Sequence, residues 1–345
     1  MVDVFGKPGF YRKERTMKKL MLTLVGACGL VFLCIGAWGC LVTIDGTAHN
    51  IDEALAVTVD NVGNVVAAGF ITNTGTSQDF AVVKVDGAVG AELWHQVIDG
   101  TAHEGDVAKA VTVDGAGNVV AAGFTQNIGT GNDFTVIKFD GATGAELWRQ
   151  VIDGTAHEGD GANAVTVDGA GNVVAAGFTQ NTGSFQDFTV IKFNGASGAE
   201  LWRQVIDGTA HDIDEALAVT VDGAGDVVAA GRTRNTAGTD NDFTVIKFDG
   251  TSGAELWRQV IHITRTFSNN QALAVTVDAA GDVVAAGFTT NLFSLSRNSD
   301  FTVIKFDRAN GTVLWRQEIN GTDNTDDKAL AVTVDAAGDV VAAGF

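Results

Sequence analysis

One short motif recurs along most of this chain at a nearly constant interval. The letters AVTVD start at six positions: Ala56, Ala110, Ala164, Ala218, Ala274 and Ala331. A tryptophan recurs at nearly the same interval. A period of about 50 residues is typical of a propeller, a solenoid or an array. The chain therefore has to fold as copies of one unit.

Each copy reads as four short β-strands, here called A to D in chain order. In the third copy they are predicted at Asn163–Asp168, Asn172–Thr179, Asp187–Phe193 and Ala199–Asp207. The segments are rich in Val, Ile, Phe, Thr and Trp, and Asp/Asn/Gly turns separate A from B and C from D. Strand C has apolar residues on both faces, so its sheet needs cover on both sides.

These features predict an all-β fold, namely a β-propeller of four-stranded antiparallel blades, in which each blade lies between two neighbours. The expected units are residues 54–99, 108–153, 162–207, 216–262 and 272–319, with a partial unit at 329–345. The body of the propeller spans residues 40–345. A strand near residue 42 and the final A–B pair are expected to share a sixth blade. An incomplete larger ring is the alternative.

The repeat resembles a known family. AVTVDGAGNVVAAGFT, with DFTVIKFDGATGAELWRQVIDG after it, is similar to the bacterial β-propeller repeat called the SBBP repeat. FDGATGAELW also resembles the tryptophan-docking motif of quinoprotein-like (PQQ-type) propellers. The resemblance implies that one tryptophan per unit docks adjacent blades, and that any quinone would need a separate stacking platform and metal-bound acids. The tryptophans concerned are Trp94, Trp148, Trp202, Trp257 and Trp315.

The N-terminal segment, residues 1–39, predicts an export signal or a membrane anchor. Basic residues between Arg12 and Lys19 precede an apolar run from Leu20 to Val42. Residues 1–16 could be an upstream start. Cys40 or Cys28 is the candidate lipid-bearing residue, and an uncleaved anchor is the alternative. The expected location is the cell envelope or the exterior, with membrane contact only through this segment or its lipid.

Charge and cysteine content narrow the classes of partner. The net charge of −20 disfavours nucleic acid, because phosphates would be repelled. All three cysteines precede the repeats, so the body has no disulfide framework.

The loops predict where binding would occur. The B–C and D–A loops share one end of the blades and vary in sequence, whereas the A–B and C–D turns at the other end are nearly identical. The residues expected on the binding face are Ile128, Phe185, Arg232, Arg234, Leu292, Phe293 and Leu295. The expected partner is an envelope protein or a glycan.

Two residue types recur in the D–A loops and are candidates for a metal site. A ring of carboxylates at the mouth of a central channel could hold Ca²⁺, and histidines could hold a transition metal. The alternative is that the aspartates satisfy turn amides. The candidates are Asp52, Asp106, Asp160, Asp214, Asp327, His49, His103, His157 and His211.

A lysine in strand C precedes a glutamate in strand D at a fixed spacing, as in Lys84 and Glu92, which predicts a cross-strand ion pair.

The body lacks the HExxH, GxSxG and P-loop motifs. We therefore expect a non-catalytic exported propeller without a cofactor, which binds a protein or glycan. The alternatives are a quinoprotein-like dehydrogenase or metal-binding propeller, and a passive structural repeat domain.

Overall fold

The computed structural model describes residues 30–34, 40–235, 241–263, 268–290, 298–322 and 325–345. In these ranges the regular elements are 24 β-strands. None of the described residues forms a helix long and apolar enough to cross a membrane.

Twenty of the strands form five four-stranded antiparallel blades. Blade 1 contains β3 Glu53–Val59, β4 Val65–Asn73, β5 Ser77–Val85 and β6 Glu92–Ile98. Blade 2 contains β7 Val107–Val113, β8 Val119–Asn127, β9 Gly131–Phe139 and β10 Glu146–Ile152. Blade 3 contains β11 Gly161–Val167, β12 Val173–Gln180, β13 Gln186–Phe193 and β14 Glu200–Ile206. Blade 4 contains β15 Glu215–Val221, β16 Val227–Arg234, β17 Asn241–Phe248 and β18 Glu255–Ile261. Blade 5 contains β19 Gln271–Val277, β20 Val283–Thr290, β21 Ser299–Phe306 and β22 Val313–Ile319.

In every blade the strands pair in the order A, B, C, D, which confirms the all-β propeller architecture. The hydrophobic core lies between blades. For example, Phe134 and Val136 of blade 2 pack in one cluster with Ile191 and Phe193 of blade 3. Each fully buried aliphatic or aromatic side chain contributes about 1.5–3 kcal/mol. A blade is therefore stable only between neighbours, because its apolar residues lie on both faces.

The predicted lysine–glutamate pair across strands C and D is wrong. A β-bulge shifts the register, so that Lys84 lies opposite Trp94, and Glu92 lies opposite Val85. Directly opposite residues project on the same side of a sheet. Lys84 instead forms an ion pair with Asp60, with 2.9 Å between Nζ and Oδ2.

The structure differs from the sequence prediction at the sixth blade. Strand β2, Cys40–Ile44, pairs with β1, Leu30–Cys34, in a sheet of its own. The final pair, β23 Ala329–Val334 and β24 Val340–Gly344, forms a separate two-stranded sheet beside blade 5. The two terminal segments therefore do not share a blade, because β2 pairs with β1 and not with β23 or β24. Cys28 and the rest of the predicted signal, residues 1–29 and 35–39, lie outside the described residues.

Candidate functional site

The A–B and C–D turns lie at one end of the blades, here called the turn face, and they hold a repeated docking network. In blade 2, Lys138 Nζ lies 2.7 Å from Asp114 Oδ2 and donates to the carbonyl of Gly195 in blade 3 at 2.7 Å. Trp148 Nε1 donates to the same carbonyl at 3.2 Å. The indole also packs against Gly198, where an added Cβ would lie 2.7 Å from Trp148 Cδ2.

The same contacts join the other complete blades in succession. Trp94, Trp202 and Trp257 each donate to the carbonyl of the following C–D turn at 3.2 Å. Trp315 packs at the edge of the cluster between blade 5 and the pair β23–β24. The first four tryptophans therefore join blade to blade in one direction along the chain.

The aspartates of the turn face are electrostatically satisfied. Burial by itself would raise the pKa of Asp60, but hydrogen bonds from Lys84 and Asn64 outweigh it and lower that pKa to about 2. Burial likewise opposes the shift at Asp114, and hydrogen bonds from Lys138 and Asn118 again lower the pKa. The turn face is therefore a structural joint, and its grooves have no unpaired charge at these positions. One such groove, of about 690 Å³, lies beside Lys138 between blades 2 and 3.

The D–A and B–C loops lie at the opposite end, the loop face, and include the repeated histidines. His49, His103, His157 and His211 are exposed and have φ between 51° and 55°. Each Nδ1 lies 2.5–2.6 Å from the carboxylate four residues earlier, for example Asp99 for His103. The four histidines thus belong to four separate turns.

The candidate aspartates do not line an open channel mouth. Asp106, Asp160 and Asp214 are at most 1% exposed, and each accepts two backbone N–H bonds. For Asp106 the donors are Gly100 and Gln126, at 2.6 Å each. Asp52 has the same arrangement with Gly46 and Thr72, and Asp327 accepts from Gly321. Asp52, Asp106, Asp160 and Asp214 therefore tie the D–A loop to the adjoining B strand.

Three of these aspartates also meet two other carboxylates at a blade junction. One set joins Asp106 to Asp99, which follows β6, and to Asp79 in β5. Sequence reasoning assigned the aspartate at the Asp79 position to strand C, where the structure places it, but gave it no role in a site. Its recurrence with nearly the repeat period was the available signal. Of the candidate histidines, His103, His157 and His211 each contact one junction carboxylate, namely the aspartate that follows strand D.

The residues predicted for binding lie at two depths. Ile128 and Phe185, in adjacent B–C loops, are 77% and 58% exposed. Arg232 and Arg234 lie in β16, and each forms an ion pair. Arg232 Nη2 lies 2.8 Å from Glu215 Oε2, and Arg234 Nη1 lies 2.5 Å from Asp212 Oδ2. Leu292, Phe293 and Leu295 lie outside the described residues.

A polar chain that sequence reasoning missed runs across the A strands of blades 2 to 4. Lys109 Nζ donates to Asn163 Oδ1 at 2.9 Å, and Asn163 Nδ2 donates to Glu215 Oε1 at 2.9 Å. Burial lowers the pKa of Lys109, against the charge of Glu215. The position of Lys109 is leucine in four other units, Leu55, Leu217, Leu273 and Leu330. The chain of bonds is therefore a departure from the repeat, and this difference in residue type was its sequence signal.

Four indoles and Lys109, which are candidate contacts for a pyrroloquinoline quinone, are engaged in contacts with other protein groups. Such a planar tricarboxylate needs an aromatic face for stacking and cations for its carboxylates. The indoles of Trp94, Trp148, Trp202 and Trp257 are held in the blade joints. Lys109 is held by Asn163, and its Nζ lies 5.4 and 5.9 Å from the ring centroids of Phe124 and Phe178.

Comparisons with known proteins agree with this architecture. A family model described as outer membrane protein assembly factor BamB matches residues 78–345. The crystal structure of Sqt1 from Saccharomyces cerevisiae is similar over 91% of this chain and 75% of the Sqt1 chain, with a TM-score of 0.56 and 10% identity. At this identity the likeness shows the fold alone. No curated protein sequence matches the chain.

Two further solved structures have TM-scores below 0.5. BamB from Moraxella catarrhalis is 14% identical over 96% of this chain and 92% of its own, with a TM-score of 0.41. A quinohemoprotein alcohol dehydrogenase from Comamonas testosteroni is 12% identical over 86% of this chain and 47% of its own, with a TM-score of 0.44. Neither likeness adds to the fold assignment.

Proposed function

Since this chain belongs to the family of PQQ-type propeller proteins described as outer membrane protein assembly factor BamB, we propose that it is a non-catalytic, exported module of the cell envelope that binds another protein. The family description supports an envelope role, and the basic and apolar N-terminal sequence supports export. The proposed binding surface is the loop face.

The observation that carries this proposal is that the variable loops of that face expose isoleucine and phenylalanine side chains, whereas the exposed large apolar side chains described in the turns of the turn face are the valines Val62 and Val89. Ile51, Ile128 and Phe185 lie in a D–A loop and two B–C loops, and more than half of each side chain is exposed. Apolar side chains that remain exposed on a rigid scaffold favour a protein partner over a glycan, because a protein can bury them.

The polar chain through Lys109, Asn163 and Glu215 supports the same face. Lys109 lies near the start of its A strand, and A strands start at the end of the blade where the D–A loops lie. Repetition for packing alone would keep one residue type in every unit. A polar residue in place of leucine in two adjacent units, Lys109 and Asn163, therefore fits a surface that contacts one asymmetric partner.

Site-specific photo-crosslinking tests the proposal. A benzophenone amino acid at position 128 or 185 is expected to capture the same discrete protein in producing cells. The matched control places it at position 62 or 89, since Val62 and Val89 are comparably exposed valines on the turn face. Equal capture from both faces, or no capture from positions 128 and 185, would refute the assignment. Capture of material that resists proteases and yields sugars would indicate a glycan.

The non-catalytic part of the proposal has its own test. Purified full chain is mixed with pyrroloquinoline quinone and Ca²⁺, and the quinone absorbance and alcohol oxidation are followed. We expect neither a spectral shift nor turnover. A stoichiometric shift of the quinone spectrum would favour the dehydrogenase alternative instead.

A further inference from the structure

Three groups of three aspartates lie where one blade meets the next. In each group, one carboxylate oxygen of every member lies within 4.8 Å of one oxygen of each other member. The groups are Asp79, Asp99 and Asp106 between blades 1 and 2; Asp133, Asp153 and Asp160 between blades 2 and 3; and Asp187, Asp207 and Asp214 between blades 3 and 4. Hereafter they are the acidic junctions.

Each member of a junction comes from a different element. Asp133 lies in strand C of blade 2, Asp153 follows strand D of that blade, and Asp160 precedes strand A of blade 3. The N–H of Asp160 donates to the carbonyl of Asn132 at 2.7 Å, which brings the two blades together. The three carboxylates are thus placed by the fold and do not depend on one flexible loop.

Buried oxygens in these junctions lack hydrogen-bond donors. Asp79, Asp133 and Asp187 are each 2% exposed. The Oδ2 atom of Asp133 accepts from Asn127 and Thr130, at 2.7 and 2.8 Å. Its Oδ1 atom has no donor, and the same holds for Oδ1 of Asp79, Asp99, Asp153 and Asp187. A buried charged oxygen without a partner is strongly unfavourable, and a positively charged ligand would stabilise these atoms.

The junction between blades 4 and 5 shows how the same position is satisfied by protein atoms. There the three residues are Asp242, His262 and Asn270. His262 Nδ1 lies 2.6 Å from Asp242 Oδ1, the equivalent of the oxygen that lacks a donor elsewhere. The Oδ1 atom of this strand-C aspartate therefore points at the residue that follows strand D, which in the acidic junctions is another carboxylate.

We propose that each acidic junction binds one hard divalent cation, Ca²⁺ in particular, which links the carboxylates of two adjacent blades. Two oxygens on opposite sides of a Ca²⁺ ion lie about 4.6–5.2 Å apart, since Ca²⁺–oxygen distances are about 2.3–2.6 Å. The 4.8 Å limit within each junction meets this requirement. All the ligands are oxygens, which Ca²⁺ and Mg²⁺ prefer over softer donors. This inference is independent of the proposed protein partner.

The electrostatics of the junctions agree with a cation. Burial raises the pKa of Asp106 to about 6, against two backbone hydrogen bonds and with the charges of Asp99 and Asp79 adding to the increase. Asp160 and Asp214 have pKa values raised to about 6 for the same reasons. A divalent ion would supply the opposite charge that these groups lack.

Direct titration tests the number of sites. The full chain is stripped with a chelator and titrated with Ca²⁺ alone and with Mg²⁺ alone at pH 7.5, and bound metal is counted by mass spectrometry after dialysis. We expect close to three Ca²⁺ ions per chain and a thermal midpoint that rises with Ca²⁺. Failure of both ions to bind at millimolar concentration, with no shift of the midpoint, would overturn the proposal.

Two variants locate the sites. Asp133→Asn should reduce the count from three to two, because the amide nitrogen replaces a ligand oxygen. Asp140→Asn removes the same charge on the turn face and should leave three, since Asn194 already accepts the same turn hydrogen bonds at the equivalent position. A count of three in both variants would contradict the assignment.

A gain of binding is the converse test, and it remains informative if Asp133→Asn does not fold. The double variant His262→Asp with Asn270→Asp converts the junction between blades 4 and 5 to three aspartates. The count should rise from three to four. An unchanged count would show that the acidic junctions do not define the site.

Discussion

At the turn face, an aspartate in each of the five complete blades meets a lysine, whereas at three junctions of the loop face a buried aspartate meets two more aspartates. Asp114 and Lys138 are 2.7 Å apart, and the pKa of this aspartate is lowered. Asp106 lies beside Asp99 and Asp79, and its pKa is raised. One residue type, repeated with the same period, thus supports rigid docking at one end of the blade and leaves unbalanced negative charge at the other.

The largest expected effect is the loss of a turn-face lysine. Lys138→Met leaves the Asp114 carboxylate buried and unpaired, so the free energy of unfolding should fall by about 3 kcal/mol. Lys305→Met in blade 5 is the control, because the Lys305 side chain is about three times as exposed as that of Lys138. This substitution should lower the free energy of unfolding by about 1 kcal/mol. Urea denaturation measures both, and equal losses would mean that burial does not set the strength of this joint.

The joint also depends on glycine beneath the indole. Gly198 has φ of 71°, and its Cβ position overlaps Trp148. Gly198→Ala should therefore cost about 2–3 kcal/mol, from backbone strain and overlap together. Gly171→Ala, with φ of 82° in open space, should cost about 1 kcal/mol from strain alone. Thermal unfolding of the two variants separates these effects, and the prediction fails if their midpoints coincide.

Acid pH should weaken the turn face. The pKa of Asp60 is lowered from its ordinary value of 3.8 to about 2 in the folded protein, so the unfolded chain binds more protons between these values. The stability from this group is present above pH 4 and is lost as pH falls through 2, by about 1 kcal/mol or more. Asp60→Asn should show a smaller loss than the parent chain in urea denaturation between pH 4.5 and 2.5. Identical slopes would argue against this cause.

The smallest effect is expected on the loop face. His157 is exposed with φ of 54°, and glycine adopts that conformation without strain. His157→Gly loses the contact with Asp153 but relieves the backbone, so unfolding free energy should change by less than about 0.5 kcal/mol. Chemical denaturation of His157→Gly and Lys138→Met under the same conditions compares the unfolding free energy that each face contributes. A loss well above that size, comparable to the loss in Lys138→Met, would place a structural joint on this face too.

Much of the fold was predictable because packing imposes the repeat on the sequence. The strand predicted at Asn172–Thr179 is found at Val173–Gln180, and the one predicted at Asp187–Phe193 begins one residue earlier. Apolar residues on both faces were enough to predict blades between neighbours. The sixth blade was mispredicted because likeness to a D strand does not reveal that β2 pairs with the strand just before it.

The candidate site was less predictable because its contacts depend on register and on other blades. The bulge that places Lys84 opposite Trp94 cannot be counted from spacing, and so the partner Asp60 was missed. Asp79 and Asp106 are distant in sequence and belong to different blades. Only the fold shows that they share one junction with Asp99.

The tryptophan and lysine of one blade contact the C–D turn of the blade that follows, and this direction has a consequence for protein engineering. Every interior unit offers donors on one side and matching carbonyls on the other. A duplicated copy of residues 162–215 inserted in frame would present the correct group to each neighbour. The number of blades could therefore be changed by recombination of whole units, without redesign of any interface.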